Sequence, residues 1–329
     1  MKPIAIVILN WNGKALLEKF LPSVVKYSQC AQIYVADNAS TDESEVWVQK
    51  NYPEVVWIAM NENRGFAGGY NTALPFVNEP ILGLVNSDIE VTENWLNPIL
   101  KTFEKYIDAA IVQPKILDAK ARDYFEYAGA GGGFIDAFGY PYCRGRVFDT
   151  LEKDNGQYND ITEIFWASGA CLFIKKEVFH KLGGFDDTFF AHQEEIDLCW
   201  RAFHNNYKVY YCGESTVYHL GGATLSNLSP KKTYLNFRNS LFMLLKNLPY
   251  FYILPVVFGR MILDGIAGIR FLFQGKFQHF KMVLWAHFHF YLNILQLLRK
   301  RKSISNKRYF RKFSIVFDYF IKGQKIFNN

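Results

Sequence analysis

Residues 4–9, Ile-Ala-Ile-Val-Ile-Leu, form an unbroken apolar run that stops at Asn10-Trp11-Asn12-Gly13. A run of that length between turn residues predicts a parallel strand buried on both faces. Leu16, Leu17, Phe20, Leu21, Val24 and Val25 then recur at three- and four-residue spacing, the stripe of an amphipathic helix. The alternation continues with strands expected over 32–36, 55–59 and 81–85 and helices over 43–50 and 68–77. Strands alternating with helices predict βαβ units, a mostly parallel sheet and the α/β class. Right-handed crossovers bring the strand ends to one edge, where such sheets bind ligands.

Between residues 114 and 161 no clean period survives, and Gly131-Gly132-Gly133 interrupts a stretch rich in Tyr and Asp. An insertion, or long loops lining a site, is the expectation there. Order returns with an apolar run over 170–174, a Gly183-Gly184 turn, and a helix from about 193 that buries Ile196, Cys199, Trp200 and Phe203. Short strands are expected over 208–212 and 216–219. Beyond about 230 the chain becomes strongly apolar and helical, over 235–248, much of 254–273 and 282–298. One domain over 1–230 and a helical region over 231–329 follow from this shift.

Charge sharpens the division. Residues 270–329 carry 13 Lys or Arg and a single acid, Asp318, whereas the preceding residues carry 24 basic and 30 acidic side chains. An acidic body with a basic tail predicts an anionic partner surface. Nucleic acid is not expected, because no zinc-ligand spacing or nucleic-acid module accompanies the tail. Cys30, Cys143, Cys171, Cys199 and Cys212 are scattered and odd in number, which fits reduced thiols in a cytosol. The run over 4–9 is also too short for the core of a signal peptide.

Four loops at predicted strand ends hold the candidate chemistry. Asp37-Asn38-Ala39-Ser40-Thr41-Asp42 has a purely structural reading as a turn plus a helix N-cap. In Asn61-Glu62-Asn63-Arg64-Gly65-Phe66-Ala67-Gly68-Gly69, glycines allow close backbone approach and the following helix N-terminus offers N–H groups to phosphate. Neither a dinucleotide fingerprint nor a P-loop is present. Asn86-Ser87-Asp88 follows the fourth strand, where a carboxylate can bridge a divalent cation to a diphosphate. Glu194, Glu195 and Asp197 open a helix, so helix-dipole stabilisation competes with a general-base role; Asp197 and Arg201 are spaced to pair. His219 closes the set.

Taken in order, these segments, with Gly183-Gly184-Phe185-Asp186 and Glu194-Glu195-Ile196-Asp197-Leu198-Cys199-Trp200-Arg201, resemble the family 2 inverting glycosyltransferases. Within that family the likeness is to bacterial rhamnosyltransferase-type enzymes of surface polysaccharide assembly. It runs over about residues 1–245 and includes Tyr234 and Arg238-Asn239. The resemblance implies a GT-A fold, a Rossmann-like sheet with a nucleotide-sugar half over about 1–113 and an acceptor half over about 114–230. It also implies a nucleotide-diphosphate sugar donor and a divalent metal, Mg²⁺ or Mn²⁺. By position, Asp37 contacts the nucleotide base, and Asn86-Ser87-Asp88 overlies the Asp-x-Asp motif with Asp88 on the metal. His219 is a further metal or diphosphate ligand, and Asn10, Asn63, Gly65 and Asn86 complete the donor-binding set. Glu195 stands where the family usually has an aspartate base, and Glu194 is positioned to share the role. Asn86 in place of aspartate and Glu195 in place of aspartate are departures from the family pattern.

The expected reaction is transfer of a sugar, with inversion, to a hydroxyl of a lipid-linked or oligosaccharide acceptor. A polyprenyl-phosphate glycosyl synthase and a non-catalytic nucleotide-binding scaffold of a polysaccharide assembly complex stay open as alternatives. A sugar-nucleotide pyrophosphorylase would need a glycine-rich basic loop after Leu9, which is missing. Pro249, Pro255, Arg260, Asp264 and Arg270 interrupt the first long apolar stretch, and Arg299-Lys300-Arg301-Lys302 follows the second directly. Amphipathic helices on an anionic membrane fit that pattern better than a span, which predicts peripheral attachment to the cytoplasmic face of the plasma membrane. A soluble helical subdomain that forms a homodimer is the alternative.

Overall fold

The computed structural model describes residues 2–221, 229–302, 304 and 307–328. Its first part runs β1 (Ile4–Asn10), α1 (Lys14–Tyr27), β2 (Ala31–Asp37), α2 (Ser44–Asn51), β3 (Val56–Ala59), α3 (Gly65–Ala73), β4 (Ile81–Asn86). These strands pair in the order β4-β1-β2-β3, all parallel. β1 is continuously apolar because both its faces are covered. Ile4, Ile6 and Ile8 pack with Leu17, Leu21 and Val24 of α1, while Ala5 and Val7 pack on the α3 side with Tyr70 and Ala73. The helix expected over 68–77 begins earlier, at Gly65, and gives way to a single 3₁₀ turn at Leu74–Phe76. Pro75, with no N–H, cannot extend the α-helical ladder.

Next come β5 (Ile89–Val91), α4 (Leu96–Lys105) and β6 (Ala109–Asp118), followed later by β11 (Ile161–Ile164), β12 (Cys171–Lys175), α5 (Lys176–Leu182), α6 (Glu194–His204) and β13 (Lys208–His219). They extend the sheet to nine strands, in which β12 lies antiparallel between β4 and β6, and β13 runs parallel to β6. Two reversals cancel, so β6 and β13 point the same way as β4. The C-terminal ends of β1, β2, β4 and β13 therefore share one edge with the start of β12. The two short strands expected over 208–212 and 216–219 are one strand. A register shift between Cys212 and Thr216 absorbs Gly213-Glu214-Ser215 without ending the pairing to β6.

The irregular stretch contains a small antiparallel sheet, β7 (Gly133–Ile135), β8 (Pro141–Cys143), β9 (Arg146–Val147) and β10 (Thr150–Leu151). An isolated bridge between Gly133 and Trp166 ties it to the segment joining β11 to β12. Gly133 is required there, since a Cβ would sit 2.0 Å from the Trp166 ring.

The helical part comprises α7 (Pro230–Asn247), α8 (Tyr250–Phe273), α9 (Phe277–Arg299) and the short α10 (Ile315–Phe320). α7 packs on α6 and α9, and α8 packs on α9. Two of the three charges that interrupt α8 point inward, and Arg270 is exposed: Arg260 donates to Asp264 at 2.8 Å, and Tyr140 donates to the same carboxylate at 3.2 Å. The outward face of α8 carries Phe251, Leu254, Phe258, Ile262 and Ile266, and that of α9 carries Leu284, Phe288, Leu292 and Leu295, all exposed. Among the described residues α8 is the one helix long and apolar enough to cross a membrane.

Candidate active site

At the shared edge, β1 and β2 end side by side, with Asn10 in register with Asp37. Asn10 Nδ2 donates to Asp37 Oδ1 at 2.9 Å and to Ser40 Oγ at 3.1 Å. The Ser40 backbone N–H donates to Asp37 Oδ2 at 2.9 Å. Asn12 accepts from the Thr41 N–H at 2.7 Å, and Ser40 Oγ accepts from the Asn12 N–H at 2.8 Å. One step along, Asn38 Nδ2 donates to Asn63 Oδ1 at 3.1 Å and to the Gly65 carbonyl at 2.9 Å, while its Oδ1 accepts from the Arg64 N–H at 2.9 Å. Gly65 is at φ +69°, and a Cβ there would lie 2.6 Å from the Phe190 carbonyl. Asp42 accepts from the Lys14 N–H at 3.0 Å and from the Ser44 N–H at 3.1 Å, so it braces the starts of α1 and α2.

Asn86 is in register with Leu9, and its N–H donates to the Ala170 carbonyl at 3.0 Å, tying the end of β4 to the loop before β12. Two residues on, Asp88 is buried and meets the end of β13. His219 Nε2 lies 3.1 Å from Asp88 Oδ1, and His219 Nδ1 lies 3.2 Å from Glu126 Oε2. Burial opposes a charge on this imidazole, but the carboxylates of Asp88 and Glu126 beside it overcome that and push the pKa up to about 10.

The donor set fits a divalent ion that would take the place of the proton between His219 Nε2 and Asp88. Bonds of about 2.1 Å to adjacent octahedral positions separate two donors by about 3 Å, close to the 3.1 Å between Asp88 Oδ1 and His219 Nε2. Glu126 addresses the other ring nitrogen, so it orients the imidazole rather than reaching the same ion. Accordingly no three-ligand cage occurs among the described residues. A hard cation held by one carboxylate and one imidazole keeps positions for phosphate oxygens and water.

Across the edge, α6 opens with Glu194 and Glu195, and Glu195 Cβ lies within 3.8 Å of where a Cβ on Gly169 would be. Glu194 is buried and Glu195 is partly exposed. Burial is the main cause that raises both carboxyls: Glu195 to about 7, and Glu194, which also feels the charge of Glu195, well above the usual carboxylate range. Each keeps a buried Oε2 with no hydrogen-bond partner. Asp197 is differently placed. It accepts from Arg201 Nε and from Lys246 Nζ, both at 2.8 Å, and it is structural.

The loop that delivers α6 is strained. Phe190, His192 and Gln193 all have positive φ, at 62°, 70° and 72°. Two side chains of α7 hold it. Asn239 Nδ2 faces the carbonyls of Phe189, Ala191 and His192 at 3.0, 2.9 and 2.7 Å, and Arg238 donates to the Thr188 carbonyl at 3.0 Å. From the other side the Phe66 N–H donates to the Phe190 carbonyl at 2.8 Å.

Residues 5–183 match the family described as Glycosyl transferase family 2. The chain belongs to that family. The low-salt glycan biosynthesis hexosyltransferase Agl10 of Haloferax volcanii is 22% identical over 298 residues, which cover 87% of this glycosyltransferase and 90% of that protein. The N-acetylglucosaminyl-diphospho-decaprenol L-rhamnosyltransferase of Mycobacterium tuberculosis is 22% identical over 59% of this chain and 68% of its own. Among solved structures, the mannosyltransferase PcManGT of Pyrobaculum calidifontis, in complex with GDP-Man and Mn²⁺, superposes with a TM-score of 0.54. It is 12% identical, over 89% of this chain and 87% of that one. GalNAc-T7 with UDP, GalNAc and Mn²⁺ also gives 0.54, at 18% identity, over 66% of this chain and 42% of that one. The fold is thus that of GT-A glycosyltransferases, and the activity class is glycosyl transfer.

Asn10, Asp37, Asn63, Gly65, Asn86, Asp88, Glu194, Glu195 and His219 lie at this edge, whereas Asp197 and Arg201 pair with each other further along α6; Asn63 is committed to bracing Gly65, whose N–H it accepts at 2.9 Å. Glu126 had no signal: it lies in the aperiodic stretch, and nothing in its spacing points to His219. Asn239 was visible as part of the family likeness, but its grip on the base-bearing loop was not.

Proposed function

We propose that this glycosyltransferase transfers a hexosyl group, with inversion and with divalent-metal assistance, from a nucleotide-diphosphate sugar to a hydroxyl of a lipid-linked saccharide during surface polysaccharide synthesis. The observation that carries the reading is the meeting of the Asn10–Asp37 pair, the Asp88–His219–Glu126 chain and Glu195 along one sheet edge. Asp37, with Asn10, Asn63, Gly65 and Asn86 around it, receives the nucleotide. Its carboxylate is fixed by Asn10 and Ser40 and accepts hydrogen bonds from the base or ribose. Asp88 and His219 would hold Mg²⁺ or Mn²⁺, which would neutralise charge growing on the departing diphosphate.

Glu195 is the general base. Its pKa near 7 is suited to taking a proton from the acceptor hydroxyl, and its side chain is less deeply buried than that of Glu194. The hydroxyl oxygen forms its bond to the anomeric carbon as the bond to the diphosphate oxygen breaks on the opposite face. Glu194, held neutral beside it, keeps a second charge from competing. The decaprenol-linked acceptor in the name of the mycobacterial relative supports a lipid-linked acceptor here.

Peripheral attachment to an anionic, cytoplasmic membrane face completes the reading. Its support is the apolar outer faces of α8 and α9 beside a basic tail. Arg260 and Asp264 are engaged by Tyr140 of the catalytic part, which favours α8 lying on the bilayer over crossing it. Metal-dependent release of free sugar from a nucleotide-sugar panel, lost in Glu195→Gln, tests the enzymatic reading. A protein that binds nucleotide sugars but never turns them over would instead be the scaffold. Release from membranes by carbonate tests the attachment; a protein that stays behind would span.

A further inference from the structure

A cavity of about 210 Å³ lies at the far end of α6 from the base, between α5, α6, α7 and the chain beyond α9. Five of its lining side chains are cations: Lys181, Arg201, Lys246, Lys300 and Lys302. Two carboxylates serve three of them. Asp197 pairs with Arg201 and Lys246 at 2.8 Å, and Asp186 pairs with Lys246 at 2.7 Å and Lys300 at 2.5 Å. Among the described residues the other two have no carboxylate within ion-pair distance: Lys181 donates to the Tyr207 hydroxyl at 3.0 Å, and Lys302 donates to the Leu182 carbonyl at 3.3 Å. Glu177, one turn earlier on α5, lends a further negative charge to Lys181. Arg201 Nη2 is buried and has no partner.

A pocket wall with more cations than carboxylates, and with a guanidinium donor left over, is incomplete in electrostatic terms. Like charges held this close repel, and a buried N–H without an acceptor costs about 1–3 kcal/mol. A bound oxyanion would remove both costs, and Arg and Lys together are the side chains that recognise phosphoryl oxygens. The space also exceeds what a water needs by an order of magnitude. The surroundings indicate the source. The neighbouring turn is held by Arg301, which donates to the Leu245 and Leu248 carbonyls, and it leads directly into exposed Tyr250, Phe251 and Leu254 at the start of the apolar face of α8.

We propose that this cavity is a phosphoryl-binding site, separate from the donor site, that receives the phosphate of an anionic lipid headgroup while the outer face of α8 lies on the bilayer. Lys181 and Lys302 supply the charge and Arg201 Nη2 supplies the buried donor. The lipid source rests on the peripheral-membrane reading above; the anion chemistry does not.

The test uses the full chain and the double variant Lys181→Gln/Lys302→Gln, which leaves the Asp186 and Asp197 pairs intact. The variant Lys322→Gln/Lys325→Gln removes the same charge elsewhere on the tail. Thermal unfolding is followed with inorganic phosphate against chloride at equal ionic strength, and flotation with phosphatidylcholine vesicles with and without phosphatidic acid. The expected result is a phosphate-dependent rise in Tm in the wild type that the pocket variant loses and the tail variant keeps. Affinity for the anionic vesicles should fall about 10-fold or more in the pocket variant and about 3-fold or less in the tail variant. A wild type with no phosphate-dependent Tm rise overturns the site. Equal vesicle losses in both variants, with the phosphate effect confined to the pocket, overturn the lipid source and leave a site for free phosphate. A wild type that responds to phosphate but floats with no vesicle refutes the membrane reading and supports the pocket.

Discussion

Asp37 and Glu195 stand at the same edge of the sheet in surroundings that differ in kind. Asp37 accepts hydrogen bonds from Asn10 and from both the backbone and the hydroxyl of Ser40, and the neighbouring Asn38–Asn63–Gly65 links are closed; among the groups on that side, Asn10 Oδ1 alone is buried without a partner. Glu195 and Glu194 each keep an unpartnered oxygen, and burial lifts the proton affinity of both. A group that only has to recognise a ligand gains from being fixed in advance. A group that has to take a proton gains from being kept short of stabilising contacts. The protein folds in spite of the second arrangement, because α7 clamps the loop that imposes it.

The contrast can be broken at its poles. Glu195→Gln should lower kcat by about 10²–10⁴-fold with little change in donor affinity, measured by turnover alongside nucleotide titration; near-normal turnover would remove Glu195 as the base. Asp88→Ala should abolish transfer and, unlike the Glu195 variant, also abolish Mn²⁺-dependent nucleotide binding in calorimetry. Glu126→Gln should weaken metal affinity about 10–100-fold, read as a shifted Mn²⁺ activation curve with kcat restored at saturation. In the wild type, kcat should climb as pH rises through about 7, where Glu195 loses its proton.

Stability should move the other way. A carboxyl whose pKa is raised by folding keeps its proton when the unfolded chain has already lost it, so its burial costs more as pH rises from the ordinary carboxylate range towards 7. At pH 8, Glu195→Gln should therefore raise Tm by roughly 2–4 °C, and an unchanged or lower Tm would contradict that origin of the shift. Asn239→Ala should cost about 1–3 kcal/mol from the freed carbonyls and lower kcat more than donor affinity.

The first four strands are legible because parallel strands buried on both faces appear as unbroken apolar runs that stop at polar residues. β5, α4 and β6 leave no clear period in the sequence, and β6 runs to Asp118, four residues into the aperiodic stretch that begins at Pro114. Strands of two or three residues, such as β9 and β10, cannot display a period at all. β13 was split by Gly213-Glu214-Ser215, which reads as a turn and is a bulge. His219 was legible by family position, but its orienting carboxylate was not, since Glu126 reaches it only through the fold.

Asn239 also bears on how this enzyme can be cut. A fragment ending where the composition changes, near residue 230, would lose α7 and with it the brace under the catalytic carboxylate. Lys246 would go too, together with its pairs to Asp186 and Asp197. Such a fragment would keep the Asn10–Asp37 side of the edge and release the Glu195 side. A fragment that keeps this brace has to extend beyond Leu248.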